Sequence, residues 1–520
     1  MPKPVPIIDL FAGPGGLGEG FTSLLNEDKT RVFKIALSIE KNEFAHQTLT
    51  LRSFVRQFDN NKIPDEYYQF VRGEIKDIEE LYKLYPEQAG HAKQEAWKLE
   101  VGDSAKHRLI DKRIKEGLKG EKNFVLIGGP PCQAYSLVGR SRRQEADGLD
   151  ENDPRVYLYR EYYRILTVHQ PPVFIMENVK GLLSAKVNQE SVFTQVINDL
   201  KNPFNAFKKL RGKEDIAYNK PGYKIYSLVK HHEQDLLGED IFEPRDFIIK
   251  SEEYGIPQTR HRVILLGIRD DLNITPLTLQ KAVNKITVAD VISDLPELRS
   301  GLSKGKDSGT EWMQVFRDSE DAGIWEGVDE PVKNKILEVI EQMDLPENDR
   351  GSLFVDGNAE INYLNNWYTD KKIKGFANHE TRSHIKSDIY RYLFVACFAK
   401  INGRSPKLSD FPTQLLPQHL NITSGIEENK FADRFRVQLS NEPSKTVTSH
   451  ISKDGHYYIH PDPMQCRSLT VREAARLQTF PDNYFFCGPR TEQYHQVGNA
   501  VPPYLAHQIA KVIKPLLLEL

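Results

Sequence analysis

Four short apolar runs constrain the fold of this chain more than any other feature: Pro6-Ile7-Ile8-Asp9-Leu10-Phe11, residues 33–39, residues 124–127 and residues 173–176. Each has strand length and ends in turn residues, and helical segments lie between them. Runs this apolar leave no face for water, so the strands are buried on both sides. Strands joined through helices are parallel, which makes the fold class α/β, built from βαβ units. Residues 224–230 and 262–268 alternate in strand fashion with no clear helix between them. An antiparallel pair therefore closes the sheet.

Open α/β sheets hold ligands at the carboxyl ends of their strands, so the run ends carry the chemistry. The first run opens into Ala12-Gly13-Pro14-Gly15-Gly16-Leu17-Gly18 and then a helix. A strand, a glycine turn and a helix start bring backbone amides close to a nucleotide-like ligand. The spacing is not Gly-x-Gly-x-x-Gly, and many structural turns look the same. The second run stops on Glu40. An acid there can accept both hydroxyls of a ribose; a solvated strand end is the plainer reading. The third run ends in Gly128-Gly129-Pro130-Pro131-Cys132-Gln133. Two glycines let the backbone turn and be approached, two prolines stiffen the exit, and a lone thiol follows. Either the sulfur reaches one atom of a bound substrate, or the cysteine is passive. Beyond it, Arg140, Arg142 and Arg143 among serines and glycine make a basic loop able to close over a phosphate backbone, unless the charge is accidental.

The fourth run leads to Glu177-Asn178-Val179. A carboxyl group at the end of a buried strand suits a proton donor, or a structural carboxylate bonded to backbone amides. In Gln258-Thr259-Arg260-His261-Arg262, strand alternation puts Gln258, Arg260 and Arg262 on one face. Two arginines facing a cleft suit a planar polar ligand or a phosphate; otherwise this is a charged edge strand. Near the C-terminus, Thr470 and Glu473 have capping-box spacing, and Gln496-Val497-Gly498-Asn499-Ala500-Val501-Pro502-Pro503 is a polar turn leading into a proline-started helix.

A chain of 520 residues has room for two or more domains. Its 39% apolar and 28% charged residues are those of an ordinary soluble globular protein. Four cysteines exclude a disulfide framework and point to a reducing compartment. No apolar run reaches the roughly 20 residues of a membrane span, and no signal peptide opens the chain. The expectation is a cytoplasmic protein without membrane contact. A net charge of −3 argues mildly against a nucleic-acid partner, but an acidic far side can hide a basic surface in the sum. Residues 79–121 are charged and helical with sparse apolar positions, and read as a helical insertion. Residues 287–459 have mixed periodicity and frequent loops, as in a second domain of irregular α+β character.

Taken in this order, the motifs resemble the DNA cytosine methyltransferases that modify carbon 5 of the base, of the bacterial restriction–modification type. The resemblance covers most of residues 5–275 and 440–520. It rests on Phe11-Ala12-Gly13, Pro130-Pro131-Cys132-Gln133, Glu177-Asn178-Val179, residues 258–262 and Gly498-Asn499. It implies an S-adenosylmethionine-dependent, Rossmann-like sheet over residues 1–275, a smaller target-recognition domain over 276–465, and C-terminal motifs over 466–520 whose last helix returns to the sheet. It implies that Cys132 adds to carbon 6 of cytosine and that Glu177 holds ring nitrogen 3 and the exocyclic amine. Arg262 then holds the base carbonyl, and Arg260 is its partner near the thiol. Phe11, Gly13, Gly15, Glu40 and Asn499 fall where the family binds S-adenosylmethionine, and Pro131 backs the methyl donor and the flipped base. Glu74 and Ile75 stand where the family more often has Asp against the adenine amine, one methylene longer. The 79–121 link and the segment between 230 and 251 are longer than usual. The implied partner is double-stranded DNA, with a cognate restriction endonuclease acting on the same site; the implied state is a monomer. An RNA methyltransferase and an inactive DNA-binding relative are the competing readings. The long 276–465 segment argues against the first, and the intact thiol, acid and arginines against the second.

Overall fold

The computed structural model describes residues 3–59, 62–131, 158–187, 190–211, 220–233, 241–417 and 433–518. At its centre is an eight-stranded sheet. In chain order the strands are β1 (Val5–Leu10), β2 (Phe33–Glu40), β3 (Ala96–Lys98), β4 (Val125–Gly128), β5 (Val173–Val179), β6 (Tyr223–Tyr226), β7 (Ile248–Lys250) and β8 (His261–Arg269). Across the sheet they lie β3-β2-β1-β4-β5-β8-β6, with β7 also pairing β8. Strands β1 to β5 are parallel. Strand β8 is antiparallel to β5, β6 and β7, the closing pair that the alternation of residues 224–230 and 262–268 predicts. The chain winds from β1 out to β3, then crosses back to β4 on the other side of β1. That reversal opens a crevice at the carboxyl ends of β1 and β4.

The helices used below are α1 (Gly16–Thr22), α2 (Glu43–Arg56), α3 (His107–Leu118), α4 (Leu158–His169), α5 (Val192–Lys201), α6 (Gly309–Asp321), α7 (Glu330–Gln342), α8 (Lys386–Asn402), α9 (Val471–Leu477), α10 (Arg490–Asn499) and α11 (Pro503–Leu518). Alternate residues of each strand face opposite layers. Ile8, Leu10, Ile39, Leu126 and Phe174 pack with Ile110 and Ile114 of α3, Tyr162 of α4 and Val196 of α5. Ile7, Ile35, Val125, Ile127 and Ile175 pack with Phe21 of α1 and Leu505, Ile509 and Ile513 of α11. Burying such a side chain contributes about 1.5–3 kcal/mol. With three of them buried on the sheet, α11 is part of this body rather than a tail.

Residues 79–121 are more than a helical insertion. After helices at Ile78–Leu84 and Pro86–Glu95 comes β3, the edge strand of the sheet, and then α3, which covers it. Three residues, of which Ala96 alone is buried, are too few for an alternation to register.

A second body holds α6, α7 and α8 around Trp312, Phe316, Ile336, Tyr392 and Phe394, with an antiparallel ribbon of Gly351–Asp356 and Gly375–Glu380. A neighbouring core joins Val288, Tyr368 and Phe376 to Leu469, Ala474, Tyr494 and Val497 of α9, α10 and the segment before them. Thr470 and Glu473 do form the capping box, its two reciprocal bonds both present.

Candidate active site

Carboxyl ends of β1, β2, β4 and β5, and the amino end of the antiparallel β8, meet at one edge of the sheet. Every strand-end motif in the sequence except the Glu74 segment opens there.

At the exit of β1, Phe11 has φ 56°, a left-handed conformation that costs a bulky residue about 1–3 kcal/mol. Its half-buried ring packs on the core below and holds it there. Gly13 then donates its N–H to Glu40 Oε2 at 2.8 Å. Glu40 Oε1 accepts from the N–H groups of Lys41 and Asn42 at 2.9 and 2.7 Å. A carboxylate has about four lone-pair sites, so three backbone bonds lock its orientation and leave about one site on Oε2. A side chain on Gly13 would meet nothing within 4 Å among the described residues, so these leave open space beside that acid. Gly15, with φ 100°, precedes α1 and caps it. An oriented acid beside an open glycine turn and a helix start fits a nucleoside whose ribose hydroxyl meets Glu40.

Beneath this turn lies Asp9, which the sequence reading treated only as part of a strand. It is fully buried, and among the described residues neither carboxyl oxygen has a hydrogen-bond partner. Burial pushes it up to about 8, with the Arg56 charge pulling it back and the Glu40 charge pushing it further. At neutral pH it is protonated. The one available signal was an acid inside an otherwise apolar run.

Glu74 and Ile75 do not reach the crevice. Glu74 is exposed in the loop after the helix Asp65–Val71 and pairs with Arg72 at 2.5 Å. Ile75 packs against the core that also holds Phe54 and Val55 of the last turn of α2, whereas Glu40 adjoins the first turn. At about 1.5 Å per residue those ends of α2 are far apart. The strand next to Glu40 is β3, with Glu40 opposite Lys98 and the N–H of Leu99 on Glu40 O at 3.0 Å. The acids that follow β3 are Glu100, paired with Lys41 at 3.1 Å, and Asp103, whose Oδ1 accepts from the N–H of Ala105 at 3.0 Å. The strand beside Glu40 is therefore β3, which the sequence did not announce, and not the Glu74 segment.

The chemical half of the edge begins at Gly128-Gly129-Pro130-Pro131. Cβ on Gly129 would stand 3.0 Å from Glu177 Oε2, so the absence of a side chain brings the β4 exit against that carboxylate. Pro131 is half-buried just beyond. Cys132 and the basic loop with Arg140, Arg142 and Arg143 lie outside the described residues. Glu177 Oε1 pairs with Arg262 Nε at 3.0 Å, each side chain 14% exposed. Arg262 lies opposite Val179 across the β5–β8 ladder, which aims the two side chains at each other. Burial holds Arg262 below its ordinary value, and Glu177 opposes that.

Gln258, Arg260 and Arg262 do not lie along one strand face. Pairing stops after Thr259 and resumes at His261, and Arg260 N–H bonds Gln258 O at 2.8 Å in a tight turn. Only Arg262 meets Glu177. Gln258 is buried and bridges three chain segments: its Nε2 donates to Leu477 O and Gln478 Oε1, and its Oε1 accepts from the N–H of Val447. Arg260 is 2% exposed. Its Nη1 donates to Val447 O at 2.7 Å, and both Nη atoms reach Gly498 O at 3.3 Å. Burial and the neighbouring Arg262 charge depress it strongly.

Asn499 is exposed at the end of α10. The residues on either side are immobilised. Cβ on Gly498 would stand 2.3 Å from the Thr448 carbonyl carbon, and Cβ on Gly16 would stand 2.3 Å from Val501 O. Asn499 is thereby carried to the start of α1, beside the glycine turn. Tyr484, whose hydroxyl donates to Pro14 O, ties the second body to the same turn.

The family model for C-5 cytosine-specific DNA methylases matches residues 93–203 and 242–515. A type II methyltransferase, M.Bpa9945I, of Bacillus paralicheniformis is 33% identical over 98% of this chain and 98% of its own length. The type II methyltransferase M.DdeI of Desulfomicrobium norvegicum is 26% identical over 98% of this chain and 88% of its own. The DNA (cytosine-5-)-methyltransferase M.ApeKI of Aeropyrum pernix is 25% identical over 77% of this chain and 83% of its own.

Proposed function

The chain belongs to the C-5 cytosine-specific DNA methylases, and on that footing we propose that it methylates carbon 5 of cytosine in a specific DNA sequence through a covalent adduct of Cys132. The donor, S-adenosylmethionine, supplies a methyl group on a sulfonium sulfur. The rest of the chemistry falls to residues of this chain. A target carbon inside a duplex is out of reach, so the base is flipped out into the crevice. The Cys132 thiolate adds to carbon 6, and its electron pair converts the ring into an enamine that is nucleophilic at carbon 5. Glu177 supplies a proton to ring nitrogen 3 as negative charge develops there, and accepts from the exocyclic amine. Arg262 orients Glu177 through their 3.0 Å contact and donates to the base carbonyl. Once carbon 5 has taken the methyl group, a base (a water can serve) accepts the carbon 5 proton, and the electron pair left behind expels the Cys132 thiolate and restores the ring.

The donor side consists of Phe11, Gly13, Gly15, Glu40, Pro131 and Asn499. Glu40 takes a ribose hydroxyl on its remaining acceptor site. The adenine-side contact passes from Glu74 and Ile75 to residues 99–103, which follow the strand next to Glu40. Residues 276–465 read the DNA sequence. The observation that carries this reading is the Glu177–Arg262 pair set against the Gly129 exit, three residues before Cys132. The type II names of the relatives support a role in protecting host DNA from an endonuclease that cuts the same site. We read the protein as a cytoplasmic monomer; among the described residues no helix is long and apolar enough to cross a membrane.

Labelled methyl transfer from S-adenosylmethionine to duplex DNA tests the assignment, with bisulfite sequencing to report the modified position. Wild type is expected to label DNA and not RNA, and Cys132→Ala to label neither. A fully active Cys132→Ala protein removes the thiol from the mechanism.

A further inference from the structure

Arg260 stands two residues before Arg262 yet spends its hydrogen bonds on the main chain. Its guanidinium reaches Val447 O and Gly498 O. Around it, Gln258 accepts from the N–H of Val447, and Gln478 Nε2 donates to Val497 O at 2.7 Å. Thr259 Oγ1 donates to Ser444 O at 3.0 Å, and Thr446 Oγ1 donates to Thr259 O at 2.7 Å. Residues 258–260, 444–447 and 497–498 are thus knotted into one buried polar junction. Gln258 and Gln478 are 0% exposed, so each bond made there replaces a desolvated, unpaired group. The junction lies between the strand that carries Arg262 and the segment that carries Asn499.

We propose that Arg260 is a positioning residue: through the Gly498 carbonyl it fixes Asn499 at the methyl-donor turn, and through Val447 it fixes the target-side segment 444–452 to the same strand. The proposal rests on the reading of Asn499 as a donor-binding residue. Three features support it. Gly498 is pressed so closely against Thr448 and Ser449 that the carbonyl it presents to Arg260 has no freedom to swing away. Residues 501 and 503 are pressed in the same way onto Gly16 and Gly20 of α1. Asn499 sits between these two anchors, so loosening one releases it. Guanidinium suits the task, because it offers several donors in a fixed fork that reaches both carbonyls at once.

Initial rates of wild type, R260K, R260Q, N499A and R260K/N499A, with S-adenosylmethionine varied at saturating DNA, test it. R260Q and N499A are each expected to raise KM for S-adenosylmethionine about tenfold or more, the worth of a buried charged hydrogen bond, with a smaller change in kcat. R260K retains one cation within reach of both carbonyls and falls between R260Q and wild type. The double variant is expected to raise KM for S-adenosylmethionine no further than N499A alone, since on the donor side both act through one residue. The pH midpoint of kcat stays where it is in R260K. A fall in kcat at unchanged KM, or a shifted pH midpoint, puts Arg260 on the reacting groups and overturns the proposal. If N499A raises KM while R260K and R260Q leave it alone, the proposal fails and the reading of Asn499 stands. If N499A leaves KM alone, the reading of Asn499 itself fails. Should R260Q not fold, as a thermal melt would show, R260K carries the same comparison.

Discussion

Glu177 is held on two sides. Arg262 Nε meets Oε1 at 3.0 Å, and Gly129 leaves just enough room for Oε2. Replacing one carboxylate oxygen by an amide keeps the shape and removes the charge. Glu177→Gln is therefore expected to lower kcat about a hundredfold or more while leaving S-adenosylmethionine Kd unchanged, read by steady-state rates beside calorimetric titration. Equal loss in Kd and kcat would show that the variant damages the donor side, and that the acid is structural. Asp9 makes a different kind of statement. It titrates near 3.8 in the unfolded chain and is pushed up to about 8 in the fold. Between those values the folded protein holds a proton that the unfolded chain has lost. Stability therefore falls as pH rises from about 4 to about 8, and levels off beyond. Asp9→Asn, neutral at every pH, is expected to abolish that decline. Urea midpoints at pH 5 and pH 8 read it: wild type loses more than the variant, and an identical loss would contradict the burial argument.

Elements carry the site by their ends, and this is where the sequence was most and least legible. Runs 124–127 and 173–176 announced β4 and β5 because a strand buried on both faces has nothing but apolar residues to show, and run 33–39 announced β2 although Lys34 is exposed. The antiparallel closure by β6 and β8 was readable from alternation. The edge strand β3 was not: it has three residues, and only one of them is buried. With β3 unread, the resemblance put the adenine side at Glu74, whereas the strand that pairs beside Glu40 is β3. Strict alternation likewise failed at Arg260, because the chain makes a tight turn between Thr259 and His261 that a period of two cannot express. The turn at the end of β4 gives a test at this scale. Gly129→Ala adds a Cβ 3.0 Å from Glu177 Oε2, so either the carboxylate or the β4 exit must move. Turnover is expected to fall roughly ten- to hundredfold, the sensitivity of positioned groups to sub-ångström error, with S-adenosylmethionine Kd unchanged. Unimpaired turnover would mean that the close approach does not fix the acid.

At the scale of the whole molecule, two bodies share one seam. The sheet supplies Glu40, Glu177 and Arg262, and the second body supplies the segment that ends in Asn499. The C-terminal helix α11 then returns to the sheet beside α1. On the proposed reading, donor and target sides are therefore built from residues hundreds of positions apart, which is why motif order rather than local pattern carried it. In the sequence Cys132 directly follows Pro131, and the proposed mechanism makes its sulfur the nucleophile. The most direct test is duplex DNA carrying 5-fluorocytosine at the target position, incubated with the protein and S-adenosylmethionine and mapped by peptide mass spectrometry. Fluorine cannot leave as the carbon 5 proton does, so the adduct is expected to persist, linked through Cys132. The absence of a covalent complex with that DNA, or one linked through Cys397, Cys466 or Cys487, would contradict the account.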